Sequence, residues 1–431
     1  MEKQKGNEYF NCITRELDND TYDLLLYNVN DFLYNYSDHQ KGNKNRLKKS
    51  GLVAALKNIF LRLIYFSFVL KNTLLFRTRK ENMIMSNAYV NVNLYGAGVV
   101  LPPWIFSIKG NIANSLTMAI VVEKIKKELS KRSIKVLMSQ EFKMLFSEFE
   151  NEMLKLFYEY KIGALIVPND MSFFENLSIK VAKRHNIPSF VYLHGLPARY
   201  NAIDDNRAEY LVVWGKGIKN EYVKAGVSED KILTLKHPIF SNFEKVDLES
   251  SLDNVLVLSK SIAGTPSCSS ELFLPNRTIS LVYLEYLKVH LKKMGVITAK
   301  LRLHPSETKE FYENNLPDDF FVIDESSKEE VLSKASLVIG PTSTMVLDTI
   351  KAGRNYILFD PVFDGVRFEG MPLVEPFTGE SFIRLSNSFE EIRNNISNPF
   401  TNIDFDKLNA FFEVDGRDVS RFYDITKIKL N

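Results

Sequence analysis

The chain has 431 residues, of which 45% are hydrophobic and 25% charged, with a formal net charge of +2. This length accommodates two core-bearing domains of roughly 150 to 200 residues each, and so small a charge gives no general attraction to nucleic acid. The two cysteines form no zinc-binding pattern, and the first residues lack the apolar core of a secretory signal. We therefore expect a folded cytoplasmic protein that binds no nucleic acid.

A basic and apolar segment comes first along the chain. No Asp or Glu occurs from Lys41 to Lys80, whereas eleven Lys and Arg residues surround the run "LVAALKNIFLRLIYFSFVLKNTLLF". Lys57 and Arg62 interrupt that run, which argues against a transmembrane helix. We predict a helix over about 47–77 that either lies in the headgroup region of an anionic membrane or packs on its own domain.

Further along, short β-branched runs alternate with longer helical patterns, as in parallel βα units. The first series of strands is predicted at 134–139, 163–169, 188–195, 209–215 and 231–238. After a polar, acidic connection around 242–253, a second series is predicted at 254–260, 297–305, 320–324, 336–340 and 355–360. These two series predict an α/β protein with one Rossmann-like domain at 1–245 and another at 246–431.

Among the predicted strand ends that carry a histidine are those with His194 before Gly195 and His304 before Pro305. Ligands of open parallel sheets bind at the carboxyl ends of the strands. An imidazole that donates an N–H there can stabilise the charge on a departing nucleotide phosphate. Arg302 lies two residues before His304, hence on the same sheet face, so we predict that both contact the donor phosphate.

A hydroxyl-rich stretch, "PTSTMVLD", follows the strand at 336–340. Thr342, Ser343 and Thr344 can cap a helix, or the free N–H groups of that helix can hold a phosphate. Asp348, about one turn later, can accept hydrogen bonds from ribose hydroxyls, or it can simply be solvated. Together with His304 on a neighbouring strand, this stretch predicts a nucleotide site.

The loop after the strand at 254–260 is the last candidate. Lys260 and Ser261 begin the sequence "KSIAGTPSCSS", which either faces the phosphate or serves as a flexible connector. Two Asp-x-Asp tripeptides, at 18–20 and 404–406, end no predicted strand. Fixed hydrogen-bond donors can neutralise a leaving group without a divalent cation, so we expect neither a metal nor a cofactor.

The order of "YLHG", "LKHP", "RLHP" and the hydroxyl-rich helix start resembles the GT-B glycosyltransferases that build bacterial surface polysaccharides, capsule or lipopolysaccharide, from cytidine-nucleotide donors. These include sialyl- and Kdo-transferase-like enzymes and teichoic-acid CDP-glycerol transferases. The resemblance covers about residues 160–365. It implies two Rossmann-like domains facing each other across a cleft, a nucleotide-sugar donor and a glycan or lipid-linked acceptor.

The resemblance also implies roles for particular residues. His194 becomes a candidate general base that takes the proton of the acceptor hydroxyl, although it can equally hold a neighbouring loop. The acidic-acidic-Gly motif that supplies the base in many bacterial sialyltransferases is absent, and "IDDNR" is the nearest approach. Asp204 is therefore a rival base. His237 stands where many such enzymes have Gly or Asn, and we expect it to be structural.

Three functions remain open from the sequence. The first is an inverting, metal-independent glycosyltransferase, with a CMP-sugar as the favoured donor, at the inner face of the cell membrane. The second is a CDP-glycerol-type polyol-phosphate transferase with the same fold and both histidines. The third is a two-lobed module that binds a nucleotide without reacting.

Overall fold

A computed structural model describes the greater part of the chain. The described residues are 24–25, 63, 67, 83–88, 98–105, 112–131, 133–197, 200, 207–248, 250–259, 277–305, 307, 309–316, 318–363, 365–369, 373–378, 383–398 and 403–427. The helix predicted at about 47–77 therefore lies outside the described residues, apart from two isolated positions. Within the described ranges, no helix is both long enough and apolar enough to cross a membrane.

The first sheet has six parallel strands in the order β2-β1-β3-β4-β5-β6. Its strands are β1 Met83–Ser86, β2 Val99–Val100, β3 Ile162–Val167, β4 Ser189–Tyr192, β5 Tyr210–Val213 and β6 Ile232–Thr234. Its central strands are almost continuously apolar and buried, as expected where helices cover both faces of a parallel sheet.

In the described part of the chain before β7, the helices that accompany this sheet are α1 Leu116–Ser130, α2 Ile134–Leu137, α3 Gln140–Glu159, α4 Phe173–Arg184 and α5 Lys216–Lys224. The longest, α3, begins where the Ser139 side chain accepts a hydrogen bond from the Phe142 N–H, which satisfies one of the free donors of its first turn. Phe142, Phe149, Met153 and Leu156 of α3 are buried. Their spacing places one apolar stripe of the helix towards the core.

The second sheet also has six parallel strands, in the order β14-β11-β10-β7-β8-β9. Its strands are β7 Val255–Leu258, β8 Ala299–Arg302, β9 Phe321–Ile323, β10 Leu337–Gly340, β11 Asn355–Phe359 and β14 Arg384–Ser386, and a small antiparallel hairpin of β12 Val362–Phe363 and β13 Val366–Arg367 follows β11. The accompanying helices are α6 Arg277–Lys293, α7 Lys309–Asn315, α8 Lys328–Lys334, α9 Met345–Lys351 and α10 Phe389–Ser397.

Two last helices, α11 Phe405–Phe411 and α12 Gly416–Thr426, follow the second sheet in sequence but pack on the first. The carboxylate of Asp418 on α12 accepts hydrogen bonds from the backbone N–H and the hydroxyl of Thr234 in β6, each at 3.0 Å, and from Lys219 Nζ at 3.1 Å. The predicted boundary near residue 245 stays a prediction. The chain, however, returns to its first sheet at the end.

This architecture confirms the predicted α/β class and the GT-B arrangement of two Rossmann-like domains. Strand positions agree with nine of the ten predicted runs, but the run at 134–139 is wrong because residues 134–137 form α2. Leu137 is buried beside α1 and α3, so its apolar side chain is removed from water between helices and not in a sheet. Strands β1, β2, β12, β13 and β14 were not predicted.

Candidate functional site

The second sheet has the strand order of a nucleotide-binding Rossmann domain. If β7 is counted as the first strand of that unit, the order β9-β8-β7-β10-β11-β14 reads 3-2-1-4-5-6. The order reverses between β7 and β10, and ligands of such sheets bind in the crevice at the carboxyl ends of these two strands. Ser259 follows β7, and Pro341 and Thr342 follow β10. The candidate donor site therefore lies at these two strand ends.

In the first sheet the order reverses between β1 and β3, and β4 is the neighbour of β3. His194 follows β4 after one residue, and its Nδ1 lies 2.9 Å from the carbonyl oxygen of Pro168, which follows β3. Because a carbonyl can only accept, Nδ1 carries the proton and Nε2 keeps a lone pair. The exposed side chain of His194 therefore has the tautomer that a general base needs.

The predicted phosphate ligand His304 lies at the end of β8, one strand away from the switch point. Its backbone N–H donates to Ser259 Oγ at 2.9 Å and lies 3.2 Å from Glu307 Oε2. Glu307 also accepts hydrogen bonds from the Ser259 hydroxyl and, at 2.6 Å, from the Tyr312 hydroxyl. Burial lowers the pKa of the His304 imidazole, which favours its neutral form. A network of Ser259 and Glu307 thus fixes the turn that carries His304 beside β7.

Arg302 does not accompany His304 into this turn. Its Nη1 donates to the carbonyl oxygen of Ser326 at 2.9 Å and lies 3.9 Å from Asp324 Oδ1. Both partners follow β9, so the guanidinium is directed towards the outer part of the sheet. A role for Arg302 in holding a phosphate stays a prediction, and it would require this side chain to exchange partners.

The three hydroxyl residues after β10 all have protein partners. The Thr342 N–H and hydroxyl donate to the two carboxylate oxygens of Glu369, at 2.8 and 2.9 Å, and the Ser343 hydroxyl accepts from the Met345 N–H at 3.2 Å. Thr344 Oγ1 accepts a hydrogen bond from the backbone N–H of Leu196, which belongs to the first domain. Helix α9 begins only at Met345, and Thr344 makes no side-chain cap. A carboxylate that occupies both Thr342 donors would repel a phosphate at that position.

The predicted ribose ligand Asp348 lies on α9 and is paired with a lysine. Lys328 Nζ, at the start of α8, is 2.7 Å from Asp348 Oδ1. Burial raises the pKa of the Asp348 carboxyl, and the hydrogen bond from Lys328 opposes that shift. A carboxylate that accepts one hydrogen bond retains further lone pairs for a ligand hydroxyl, and ribose binding by Asp348 stays a prediction.

Direct hydrogen bonds join the two domains around this site. The Leu196 N–H, two residues after His194, donates to Thr344 Oγ1 at 2.9 Å. Lys351 Nζ donates to the Ile239 carbonyl oxygen at 2.9 Å, and the Tyr200 hydroxyl donates to the Glu375 carbonyl oxygen at 2.7 Å. The loop that carries His194 is thus in contact with the loop at the switch point of the second sheet.

Among the predicted site residues, the structure brings together the loops of His194 and Thr344. His304 lies on a nearby strand end, whereas Asp204, Lys260 and Ser261 lie outside the described residues. Sequence reasoning missed Glu369 and the pairing role of Lys328, since Glu369 comes from the loop after β13 and Lys328 from the start of α8. For Glu307 a signal existed, because a carboxylate three residues after a strand-ending His can fold back on that turn.

A metal site was not expected, and within the described ranges no group of three or more His, Cys, Asp or Glu side chains could hold an ion. Metal independence itself stays a prediction.

Comparison with known proteins gives structural neighbours only. No protein-family model and no curated protein matches the chain. Solved structures that resemble it include an S. aureus MnaA–UDP complex (8% identity, 82% of this chain and 98% of that chain, TM-score 0.44), the apo lipopolysaccharide outer core galactosyltransferase WaaB (11%, 80% and 99%, 0.43) and a Rickettsia africae glycosyltransferase (8%, 81% and 98%, 0.44). Similarities of this size assign no function, so the geometry of the site has to carry that assignment.

Proposed function

We propose that the protein is a GT-B glycosyltransferase that moves a sugar from a nucleotide-activated donor to a glycan or lipid-linked acceptor of a bacterial surface polysaccharide. One observation carries the proposal. The exposed imidazole of His194, in the tautomer of a base, lies two residues from a hydrogen bond to the loop at the switch point of the Rossmann-type second sheet. In the proposed arrangement, the nucleotide crevice of the second domain and the proton acceptor of the first face each other.

In the proposed reaction, His194 Nε2 takes the proton of the acceptor hydroxyl. The acceptor oxygen forms a bond to the anomeric carbon while the bond from that carbon to the donor phosphate oxygen breaks. The bonding electrons leave with the nucleotide, and attack from the opposite face inverts the anomeric centre. The hydrogen bond from Nδ1 to Pro168 stabilises the imidazolium that forms. Asp204 remains the rival base.

The departing nucleotide gains negative charge, and groups near the second crevice can stabilise it. His304 in its neutral form can donate one N–H to a phosphate oxygen, and its backbone is fixed by Ser259 and Glu307. Lys328, which is paired with Asp348, and Lys351, which donates to the Ile239 carbonyl oxygen, add positive charge on the second-domain side. Such fixed donors support the proposal that the reaction needs no divalent cation.

The donor and the location belong to the same proposal. A CMP-sugar is favoured by the order of motifs, and a lipid-linked acceptor would place the enzyme at the cytoplasmic face of the cell membrane. The basic segment at 41–80 would then contact anionic headgroups.

The test is thermal stability and donor turnover, each measured with EDTA present. We expect CMP at about 100 times its Kd to stabilise the protein by roughly 2.7 kcal/mol, and His304→Ala to abolish that effect. His194→Ala should still bind CMP but lose at least about 100-fold in turnover of a CMP-sugar, which is the scale of general base catalysis. His290→Ala, on α6, is the control that should leave both unchanged.

Other outcomes would change the proposal. Stabilisation by UDP or GDP alone would keep a nucleotide site but discard the cytidine donor. Turnover of CDP-glycerol with release of CMP would establish the polyol-phosphate transferase instead. Nucleotide binding without turnover of any donor would favour the non-catalytic module.

A further inference from the structure

Thr344 of the second domain contacts the loop that carries the candidate base. Its Oγ1 accepts the Leu196 N–H at 2.9 Å. A Cβ atom built on Gly195 would lie 3.0 Å from the same oxygen, which is tighter than ordinary van der Waals contact. Residues 195 and 196 therefore pack their backbone directly against Thr344, and a side chain at position 195 would require the Thr344 hydroxyl to shift.

This contact joins the loop of the candidate base to the loop at the candidate donor site. His194, Gly195 and Leu196 are consecutive residues after β4, whereas Thr344 follows β10 at the switch point of the second sheet. Leu196 is buried, so water cannot readily take the place of the threonine as the acceptor of its N–H. Loss of the threonine hydroxyl would leave a buried donor unsatisfied. The bond consequently fixes the spacing of the two loops.

Thr344 was predicted from the sequence as a phosphate ligand. In the structure its hydroxyl oxygen is already the acceptor for a backbone N–H of the other domain. A hydroxyl can donate its own proton while it accepts, so a ligand contact is not chemically barred. The position of the bond next to His194, however, suits a different role.

We infer that Thr344 is a positioning residue that holds the His194 imidazole at a fixed distance from the donor crevice. Its catalytic consequence rests on the proposed function, whereas the contact itself does not. Lys351 and Tyr200 make two further hydrogen bonds between the domains. Loss of the Thr344 acceptor should therefore loosen the His194 loop without separating the domains. Base catalysis is sensitive to such small displacements.

The experiment compares Thr344→Val, which removes the acceptor at nearly constant volume, with Thr344→Ser, which keeps it. Amide hydrogen exchange of the peptide that contains Leu196 should accelerate roughly tenfold in the valine variant and stay near wild type in the serine variant. In steady-state kinetics, the valine variant should lose roughly tenfold or more in kcat while its Kd for CMP is unchanged, and serine should restore kcat.

Two further variants make the comparison specific. Thr117→Val removes a hydroxyl that bonds Glu152 within the first domain, and it should leave the exchange of the Leu196 peptide and kcat near wild type. Gly195→Ala places a methyl group against Thr344 Oγ1 and should accelerate the exchange of that peptide, like Thr344→Val, without affecting CMP binding.

Each alternative outcome is distinct. If Thr344→Val weakens CMP binding as much as it lowers kcat, Thr344 is a phosphate ligand and the positioning role is wrong. If hydrogen exchange in the Leu196 peptide is unaffected by Thr344→Val, the contact does not fix the loop. If the wild type turns over no donor, the proposed function fails, but the exchange comparison still decides whether Thr344 holds this loop.

Discussion

At the scale of single residues, His237 has a structural role, because its ring binds the backbone of its own turn. Its Nδ1 accepts the backbone N–H groups of Ile239 and Phe240, both at 3.1 Å, and its ring lies 4.3 Å from that of Trp214. Burial, with the positive charges of two lysines of the second domain, lowers the pKa of this imidazole to about 4. The ring therefore stays neutral and caps the turn after β6.

This burial predicts a pH-dependent stability. The pKa of a histidine in the unfolded chain is about 6.5, so from about pH 6.5 down to pH 4 the unfolded chain binds a proton that folded His237 does not. The stabilisation is complete above pH 6.5 and is lost as the pH falls through this window. His237→Asn keeps an acceptor for the two N–H groups but cannot titrate.

We expect the free energy of unfolding of the wild type to fall relative to His237→Asn by about 2 kcal/mol between pH 7.5 and pH 5. Urea denaturation of both proteins at the two pH values measures this difference. Parallel pH profiles would mean that the folded imidazole titrates normally and is not buried as described.

Single residues at strand ends were the predictable part of the site. His194 and His304 follow from the strand pattern alone, because each ends an apolar run. Their partners were not predictable, since Pro168 and Ser259 follow neighbouring strands. The partner of Asp348 was not predictable either, since Lys328 begins another helix. Which donors remain available to a ligand depends on these long-range contacts, which no short motif encodes.

At the scale of elements, the contact of α11 with the loop before α5 depends on a glycine. A Cβ atom on Gly215 would lie 2.4 Å from Phe412 Cα and 2.5 Å from the Phe411 carbonyl oxygen. Both neighbours are backbone atoms, which cannot rotate away as a side chain does. The Lys216 N–H also donates to the Glu413 carbonyl oxygen at 2.8 Å, so the two segments are held in direct backbone contact.

Gly215→Ala should therefore lower the free energy of unfolding by about 2 kcal/mol or more, since overpacking against an immobile backbone forces the two elements apart. Gly416→Ala is the matched control. Its Cβ would meet nothing within 4 Å and it lies in α12, where alanine is the better helix former. Guanidinium denaturation should show a clear loss for the first variant and no loss for the second. Equal midpoints would contradict the close packing at Gly215.

Element prediction succeeded where burial on both faces made the pattern unambiguous. Strands β3, β5 and β10 are such cases, each an apolar run between turn residues. The run "IKVLMS" has the same local character but forms α2, because it connects α1 to α3 and packs between them. Strand β2 has two residues, too few to show an alternating pattern. Tertiary packing, not local preference, decided both.

At the scale of the whole molecule, helices α11 and α12 follow the second sheet in sequence but pack in the core of the first domain. The side chains of Phe405, Leu408, Phe412 and Phe422 are buried in one cluster with residues of the first domain. Sequence order suggests that residues after 398 serve the second domain, yet these helices cover the first. The chain crosses between its domains twice, and the stability of the first domain depends on residues that follow the second domain in sequence.

A truncation after Asn398 tests this dependence. Each fully buried Phe or Leu side chain contributes about 1.5–3 kcal/mol, so loss of these four should destabilise the first domain by roughly 6 kcal/mol or more, a large part of the stability of an ordinary domain. Both tryptophans of the chain, Trp104 and Trp214, are buried and belong to the part of the chain that forms the first sheet. Tryptophan fluorescence therefore follows the unfolding of that domain selectively.

A chain that ends at Lys427 retains both helices and is the control. We expect the shorter chain to lose its native tryptophan emission at far lower denaturant concentration than the control, because removal of α11 and α12 exposes the apolar surface around β6 and α5. An unchanged denaturation midpoint would show that α11 and α12 do not contribute to the stability of the first domain.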